Sequence, residues 1–251
     1  MNSVINSDED KILKALSSLS KQGPIVPSKG GSNAVGKLLQ ESLKITHSTT
    51  RRNSLYNYTI TATASKLNSS SRTNLFARVP DWRSSPYKSS KELVENFGRE
   101  DLTGKYVKSL FCTSTSAGPN GFDLVLKANS ERRSLEEWFV SEDGESLVAV
   151  WDISKLEEKL ASLGKTAIVT ALPVDIGGEK GFHYRFVDLL ERPELDNFLE
   201  LLESGAITID HLISIKVGQK GAREQGPLFK VRADAREDLY KSIKRIDLMD
   251  L

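Results

Sequence analysis

The sequence contains a single cysteine, no zinc-binding cluster and no long hydrophobic run, and each shortage excludes a class of protein. Cys112 alone cannot form an internal disulfide, which indicates a reducing compartment. No group of cysteines and histidines has the spacing of a zinc site. No apolar segment is long enough to span a membrane, and the start of the chain is acidic where a signal peptide is basic. We therefore expect a cytoplasmic protein with no membrane partner.

An excess of charge of one sign is also missing, because 35 basic residues are balanced by 34 acidic residues. Acidic residues are nevertheless scarce in two segments. Within residues 44–88 the only acid is Asp81, and within residues 216–232 the only acid is Glu224. Clustered cations of this kind suit a surface that follows the phosphates of a nucleic acid, whereas solvated loops give the same pattern without any ligand.

Hydrophobic spacing predicts an α/β protein in which helices and strands are mixed along the chain. Residues 56–63 alternate between apolar and polar side chains, which predicts a strand with one polar face. The β-rich segment KTAIVTALPV, 165–174, predicts a central strand, with HYRFV, 183–187, beside it. Pro193 as the first helical residue and Gly205 just past the last one predict a further helix.

The C-terminal part is predicted to contain two strands and a final helix. Residues 207–217 and LFKVR, 228–232, have the pattern of strands. His211 lies on the same face as Ile209 and Ile213, which favours a core histidine over a ligand. An amphipathic helical spacing connects Leu239, Tyr240, Ile243 and Ile246.

Several segments follow one another in an order and at separations that match a known family. They are NAVGKLLQESL (33–43), YTITATAS (58–65), TNLFARVP (73–80), WDISKLEEKL (151–160), KTAIVTALPV (165–174), LDNFLELLESGAITIDHLISI (195–215) and KGAREQGPLFKVRADAREDLYKSIKRI (220–246). Together they resemble the MvaI/BcnI restriction endonucleases, which are related in fold to the nickase MutH. The resemblance covers nearly the whole chain.

The resemblance implies one restriction-endonuclease-like unit over residues 1–251, with a mixed central sheet flanked by helices and two lobes around DNA. We expect residues 1–100 with 145–190 to form the former catalytic lobe. Residues 101–144 with 191–251 then form the DNA-recognition lobe. Family members act as monomers that cleave short double-stranded sequences with magnesium, so the implied partner is double-stranded DNA.

The family's metal site has the pattern Asp-x4-Glu-x-Lys on one strand, with a further Glu on the preceding helix. These acids hold Mg²⁺ against the scissile phosphate, and the lysine orients or activates the attacking water. Aligned without a gap from Gly36 and Lys37, the strand positions fall on Ser54, Thr59 and Thr61, and the helix position falls on Gln40. None is an acid or a lysine, so the resemblance predicts a scaffold without catalytic residues and without a metal cofactor.

Two rearrangements would restore a metal site, with magnesium as the cofactor. Glu41 is next to Gln40, but one step along a helix rotates a side chain by about 100°. The segment from Asp123 to Lys127 has an acid and a lysine on a predicted strand, yet Val125 stands where the middle acid is needed. The family alignment also assigns that segment to a different strand.

The C-terminal loop Gly221-Ala-Arg-Glu-Gln-Gly226 resembles the family segment that places side chains against bases. Arg223 and Gln225 are the residue types that bind guanine and adenine edges with two hydrogen bonds, although a loop that only positions phosphates fits equally well. Arg72 and Asn74 are expected to clamp the backbone from the strand next to the former metal site. The full predicted DNA-binding set is Lys37, Arg72, Asn74, Lys216, Lys220, Arg223, Gln225, Lys230 and Arg232.

The leading hypothesis is a DNA-binding protein that recognises a short duplex sequence or a modified base and does not cleave it. Such a protein acts alone as a monomer, or beside an active nuclease or another defence-system subunit. One alternative is an active magnesium-dependent restriction or nicking endonuclease with relocated carboxylates. Another is a protein-interaction module that no longer binds DNA.

Overall fold

A computed structural model describes residues 7–28, 34–45, 54–64 and 71–251. The helices are α1 (Asp8–Lys21), α2 (Ala34–Ser42), α3 (Ser90–Phe97), α4 (Ile153–Ala161) and α5 (Leu195–Glu203), with one 3₁₀ turn at Glu237–Leu239. The strands are β1 (Ser54–Leu55), β2 (Tyr58–Ala64), β3 (Arg72–Ala77), β4 (Arg99–Glu100), β5 (Tyr106–Ser114), β6 (Leu124–Asn129), β7 (Ser134–Ser141), β8 (Gly144–Asp152), β9 (Lys165–Ile176), β10 (Glu179–Leu190), β11 (Ile207–Lys216), β12 (Ala222–Glu224), β13 (Leu228–Arg232) and β14 (Ile243–Asp247). No described helix has the length and apolar character needed to cross a membrane.

The chain divides into two compact units. The first takes its described residues from Met1–Asn68, Leu163–Pro193 and Tyr240–Leu251, and the second comprises the described part of Ser69–Ser162 together with Glu194–Leu239. These bounds differ from those of the predicted lobes, and strand pairing explains the difference. β3 pairs with β13, and β8 pairs with β7, so both join the second unit. β14 pairs with β10 and joins the first.

The first unit is built on a five-stranded sheet in the order β1-β2-β9-β10-β14. β2 and β9 are parallel, and the other neighbours are antiparallel. The predicted central position of β9 and the adjacent position of β10 are confirmed. α1 begins with a capping box in which Ser7 and Asp10 satisfy each other's backbone N–H groups. Its apolar stripe, with Ile12 and Leu16 fully buried, belongs to the core of this unit.

The second unit contains a six-stranded sheet in the order β3-β13-β11-β5-β4, with β12 also paired to β11, and a three-stranded sheet β6-β7-β8. Phe76 and Phe229 are stacked with ring centroids 4.8 Å apart, and Phe198 from α5 packs against both. These rings cover one face of the larger sheet and leave its other face without this apolar layer. Burial of such large rings makes this cluster a main source of the unit's stability.

A buried hydrogen-bonded pair connects the two sheets of the second unit. His211 of β11 and Glu137 of β7 are both almost inaccessible to solvent, and Nε2 lies 2.9 Å from Oε1. The prediction of a core histidine is therefore confirmed. Burial by itself lowers the pKa of His211, but the carboxylate of Glu137 raises it, with smaller contributions from Glu224 and Asp210, and the net pKa is above the ordinary value.

The predicted C-terminal helix is wrong. The chain makes only the single 3₁₀ turn at Glu237–Leu239 and then enters β14, where Ile243 and Ile246 pair with Leu190 and Val187 of β10. The added strand forms hydrogen bonds with the backbone N–H and C=O groups along the edge of β10. These bonds stabilise the strand more than local helix propensity would stabilise a helix here.

Two boundaries also differ from the predictions. The expected strand from Tyr56 starts at Tyr58, because Tyr56 and Asn57 both have positive φ and form the two-residue turn between β1 and β2. Pro193 lies one residue before the N-cap Glu194 rather than at the first helical position. Gly205 follows the C-cap Ser204 with φ 73°, which confirms the predicted end of α5.

Candidate functional site

One face of the six-stranded sheet collects most of the predicted DNA-binding residues. Strand register aligns Thr208 with Lys230 and Asn74, and Arg232 with Arg72. It likewise aligns Ser214 with Arg223, and paired residues point to the same side of a sheet. We call this surface the open face, and its predicted members are Arg72, Asn74, Lys216, Arg223, Lys230 and Arg232. The opposite face carries the buried residues Ile209, Ile213, Phe229 and Val231.

An acidic residue neutralises part of the open face. Asp210 accepts from Arg72 Nη1 at 2.5 Å and from Lys230 Nζ at 2.6 Å. Thr113 donates to the same carboxylate at 2.8 Å. Burial works to raise the pKa of Asp210, but the bonds from Lys230, Thr113 and Arg72 lower it below the ordinary value. Arg72 and Lys230 are therefore held in place, and one of their two positive charges is compensated.

The remaining cations of the open face differ in their partners. Arg232 Nε lies 3.0 Å from Asp234 in an exposed pair. For Lys216 and Arg223 the described part of the chain provides no acidic partner within ion-pair distance. Both cations are thus positioned at the surface with their charge uncompensated, which is the state that phosphate or base recognition requires.

A pocket of 330 Å³ opens on this face, lined by Tyr106, Phe111, Leu212, Ser214, Arg223 and Gln225. Phe111 and Leu212 are register partners on adjacent strands. A register shift next to Lys216 brings Tyr106 to the same side, where its ring meets Phe111 edge to face at 5.6 Å between centroids. Arg223 and Gln225 are therefore brought together, as predicted for a shared reading role, and two aromatic rings stand beside them.

Sequence reasoning missed Tyr106 and Phe111. A signal was present, because Phe111 lies between Ser109 and Thr113 at the two-residue spacing of one strand face. An aromatic ring on an otherwise polar face is unusual in a solvated strand, and Phe111 is 45% exposed. The role of Phe111 could not be recognised without β12, which lies on the other side of β11 and supplies Arg223.

The other predicted residues lie elsewhere. Lys220 is exposed in the loop between β11 and β12, and Lys37 is exposed on α2 in the first unit. The expectation that Arg72 and Asn74 lie on the strand next to the former metal site is wrong. They belong to β3, which pairs with β13, whereas the neighbours of β2 are β1 and β9.

The predicted cleavage position lies on the outer side of β2. Tyr58 and Ile60 point into the core, so Thr59 and Thr61 point away from it. Ser54 is the register partner of Thr59, and Thr61 is that of Ile168. Thr59 Oγ1 donates to the carbonyl of Leu163 at 3.5 Å. We call these three strand residues and Gln40, half-buried near the end of α2, the hydroxyl site, a set defined by the positions predicted from the sequence.

The residues of the hydroxyl site do not fit Mg²⁺. Their hydroxyl and amide oxygens carry no charge, whereas Mg²⁺ in such enzymes is bound through carboxylates. Thr61 pairs with Ile168 of β9, which in turn pairs with Asp188 of β10, the first acid met across the sheet from Thr61. Arg245 donates to the two carboxylate oxygens of Asp188 at 2.6 and 3.0 Å. The described residues contain no group of three acidic, histidine or cysteine side chains suited to a metal. In the sequence, the segments that lie outside the described residues contain no aspartate or glutamate.

The two rearrangements considered from the sequence lie on α2 and in the sheet β6-β7-β8. Glu41 is exposed while its neighbour Gln40 is half-buried. Asp123 precedes β6, and Lys127 lies within it, in the three-stranded sheet of the second unit. Lys127 is also paired with Glu145 at 2.5 Å. The assignment of this segment to a different strand, away from β2, is confirmed.

Comparison with known proteins identifies the fold and the family. The sequence profile of the MvaI/BcnI restriction endonuclease family matches residues 13–240. The chain belongs to this family. Two solved structures of the restriction endonuclease MvaI are similar to it. The MvaI complex with cognate DNA substrate has a TM-score of 0.69 at 15% identity, over 99% of each chain. MvaI without DNA has a TM-score of 0.64 at 16% identity, over 98% of each chain.

The sequence segments that follow one another in the family's order predicted the same resemblance. The MvaI/BcnI assignment and the restriction-endonuclease-like α/β fold are therefore confirmed. At this level of identity the likeness to MvaI concerns the fold. A sequence comparison with curated proteins finds no match.

Proposed function

We propose that this MvaI/BcnI family member binds double-stranded DNA at a short sequence or a modified base and does not cleave it. The observation that carries the proposal is the convergence of predicted DNA-binding residues on the open face. Cations on adjacent strands of one rigid sheet are held at fixed separations, as a surface that contacts successive phosphates requires. MvaI, which has the same fold, is known in a complex with its cognate DNA substrate.

The absence of charge at the hydroxyl site supports the second half of the proposal. Ser54, Thr59 and Thr61 offer neutral oxygens, and no lysine stands among them to activate water. The nearby acid Asp188 is already bound by Arg245. We therefore propose binding as the output, without a metal cofactor. The protein would act in the cytoplasm as a monomer, or supply specificity to an active nuclease or another defence-system subunit.

DNA binding is tested by a gel-shift titration of duplexes from a randomised pool, with repeated selection of the bound fraction. The expected result is an enriched short sequence and an affinity that falls steeply as salt rises, because bound phosphates release counterions. Lys216→Ala should weaken binding, whereas Lys14→Ala, which removes an exposed cation of α1, should not. A salt-insensitive protein that enriches no sequence would favour the protein-interaction module instead.

Cleavage is tested with plasmid DNA that contains the selected sequence, in Mg²⁺ and separately in Mn²⁺. No specific product should form, even with as much protein as DNA. A discrete nicked or linear product would overturn the non-cutting half of the proposal and favour an endonuclease with relocated carboxylates. The binding half would remain.

A further inference from the structure

The pocket on the open face combines two kinds of group. Phe111 and Tyr106 provide ring surfaces, and Arg223 and Gln225 provide planar hydrogen-bonding groups beside them. Ser214, almost fully buried, contributes to the lining between them. The ligand class that matches must be flat, apolar on its faces and polar around its edge.

We propose that this pocket receives a single nucleobase unstacked from the bound duplex. The inference rests on the proposed function, since it names how the same surface reads DNA. A base within a duplex presents only its edge, whereas a base turned out of the stack presents both ring faces and its pairing edge. Stacking on Phe111 uses the face, and the guanidinium of Arg223 with the amide of Gln225 binds the edge.

The size and position of the pocket agree with this occupant. A volume of 330 Å³ is at the lower end of the range of about 300–1,000 Å³ in which small ligands bind, and is too small for a segment of duplex. The pocket shares its face with Lys216, a register partner of Tyr106. A cation at that point can hold the phosphate of the displaced nucleotide.

A protein segment is a less suitable occupant. An apolar peptide side chain would use the ring of Phe111 but would leave Arg223 and Gln225 without partners when they are covered. Burying such groups unpaired is costly. A nucleobase satisfies both requirements at once.

The affinity test uses two labelled duplexes of identical sequence that differ at one position. In the first, a chosen thymine faces adenine, and in the second the same thymine faces an abasic site and is already unpaired. Because the second duplex spares the energy of unpairing, wild-type protein should bind it about tenfold more tightly. Phe111→Leu, which keeps bulk but removes the aromatic face, should abolish the preference, and Phe111→Tyr should keep it. Val107→Ala, on the same strand but outside the pocket lining, serves as the control.

The outcomes separate the two proposals. Equal affinity of the wild type for both duplexes would overturn the unstacked-base inference and leave DNA binding in place. The inference would also be overturned if Phe111→Leu lowered the affinity for both duplexes by the same factor. Failure to bind either duplex at low salt would contradict the proposed function itself.

A photochemical test locates the base. The unpaired thymine is replaced by 5-iodouracil, the complex is irradiated, and the crosslinked peptide is identified by mass spectrometry. We expect the crosslink on the peptide that contains Tyr106 and Phe111. A crosslink confined to another part of the chain would overturn the assignment of the pocket.

Discussion

The open face and the hydroxyl site show how differently two surfaces of one scaffold carry charge. On the open face, cations from several strands lie side by side, and two of them share Asp210. At the hydroxyl site, Ser54, Thr59 and Thr61 lie on equally regular strands but carry no charge. The two surfaces therefore differ in the charge of their side chains. The proposed function assigns DNA binding to the open face and assigns no cleavage to the hydroxyl site.

The largest expected effect concerns the support behind the open face. His211, between Asp210 and Leu212 of that face, points inward to Glu137. Glu137→Gln leaves the buried histidine without its charged partner and should reduce the free energy of unfolding by about 3–5 kcal/mol in urea titrations. Glu145→Gln, which breaks the exposed pair with Lys127, should change it little. Equal effects would mean that the buried pair gives the face no special support.

The same variant has a defined pH dependence. Because the folded pKa of His211 is raised, the stability from its charged form is fully present below the unfolded value of about 6.5. It is lost as pH rises through the folded pKa. The difference between wild type and Glu137→Gln should therefore shrink as pH rises. A constant difference would show that the histidine stays neutral throughout.

Restoring charge to the hydroxyl site should make it resemble an active centre. The variant with Gln40→Glu, Ser54→Asp, Thr59→Glu and Thr61→Lys should be stabilised by Mg²⁺ by about 2.7 kcal/mol at a hundred times its dissociation constant. Wild type and Thr63→Glu alone are the controls in thermal unfolding. Equal stabilisation of the wild type by Mg²⁺ would contradict the claim that its hydroxyl site does not fit this ion.

The reading role of the open face is sharpened by Arg223→Ala. If Arg223 binds a base edge, the variant should lose about 1–3 kcal/mol of preference between the selected duplex and its single-base variants. Lys220→Ala, in the neighbouring loop, should weaken binding to all of them alike. Competition titrations measure both. Uniform weakening by Arg223→Ala would assign the residue to phosphate.

The smallest effect is expected from Asp210→Asn, which releases the charge that compensates Arg72 and Lys230. DNA binding should tighten, and the slope of log affinity against log salt should steepen by about 0.9 for one added phosphate contact. The variant should also be less stable near neutral pH, where Asp210 is ionised and paired in the folded protein. An unchanged slope would show that neither cation contacts phosphate.

Local patterns were sufficient for elements whose own residues decide them. The alternation around Thr59, the apolar run of β9 and Gly205 after α5 each predicted the observed element, because burial of one face or a positive φ constrains the local sequence directly. The C-terminal helix was mispredicted because Ile243 and Ile246 satisfy helical spacing as well as strand pairing. Only the unpaired edge of β10 distinguishes the two.

The sequence alone determined the family, the α/β fold class, the neutral character of Gln40, Ser54, Thr59 and Thr61, and the two acid-poor segments, because these depend on residue identity and order. Tertiary structure alone decided that Arg72 and Lys230 meet at Asp210 and that Phe111 lies in the same pocket as Arg223. Residues far apart in the chain become neighbours through strand order and register. No local pattern encodes that pairing, because it follows from the packing of the whole sheet.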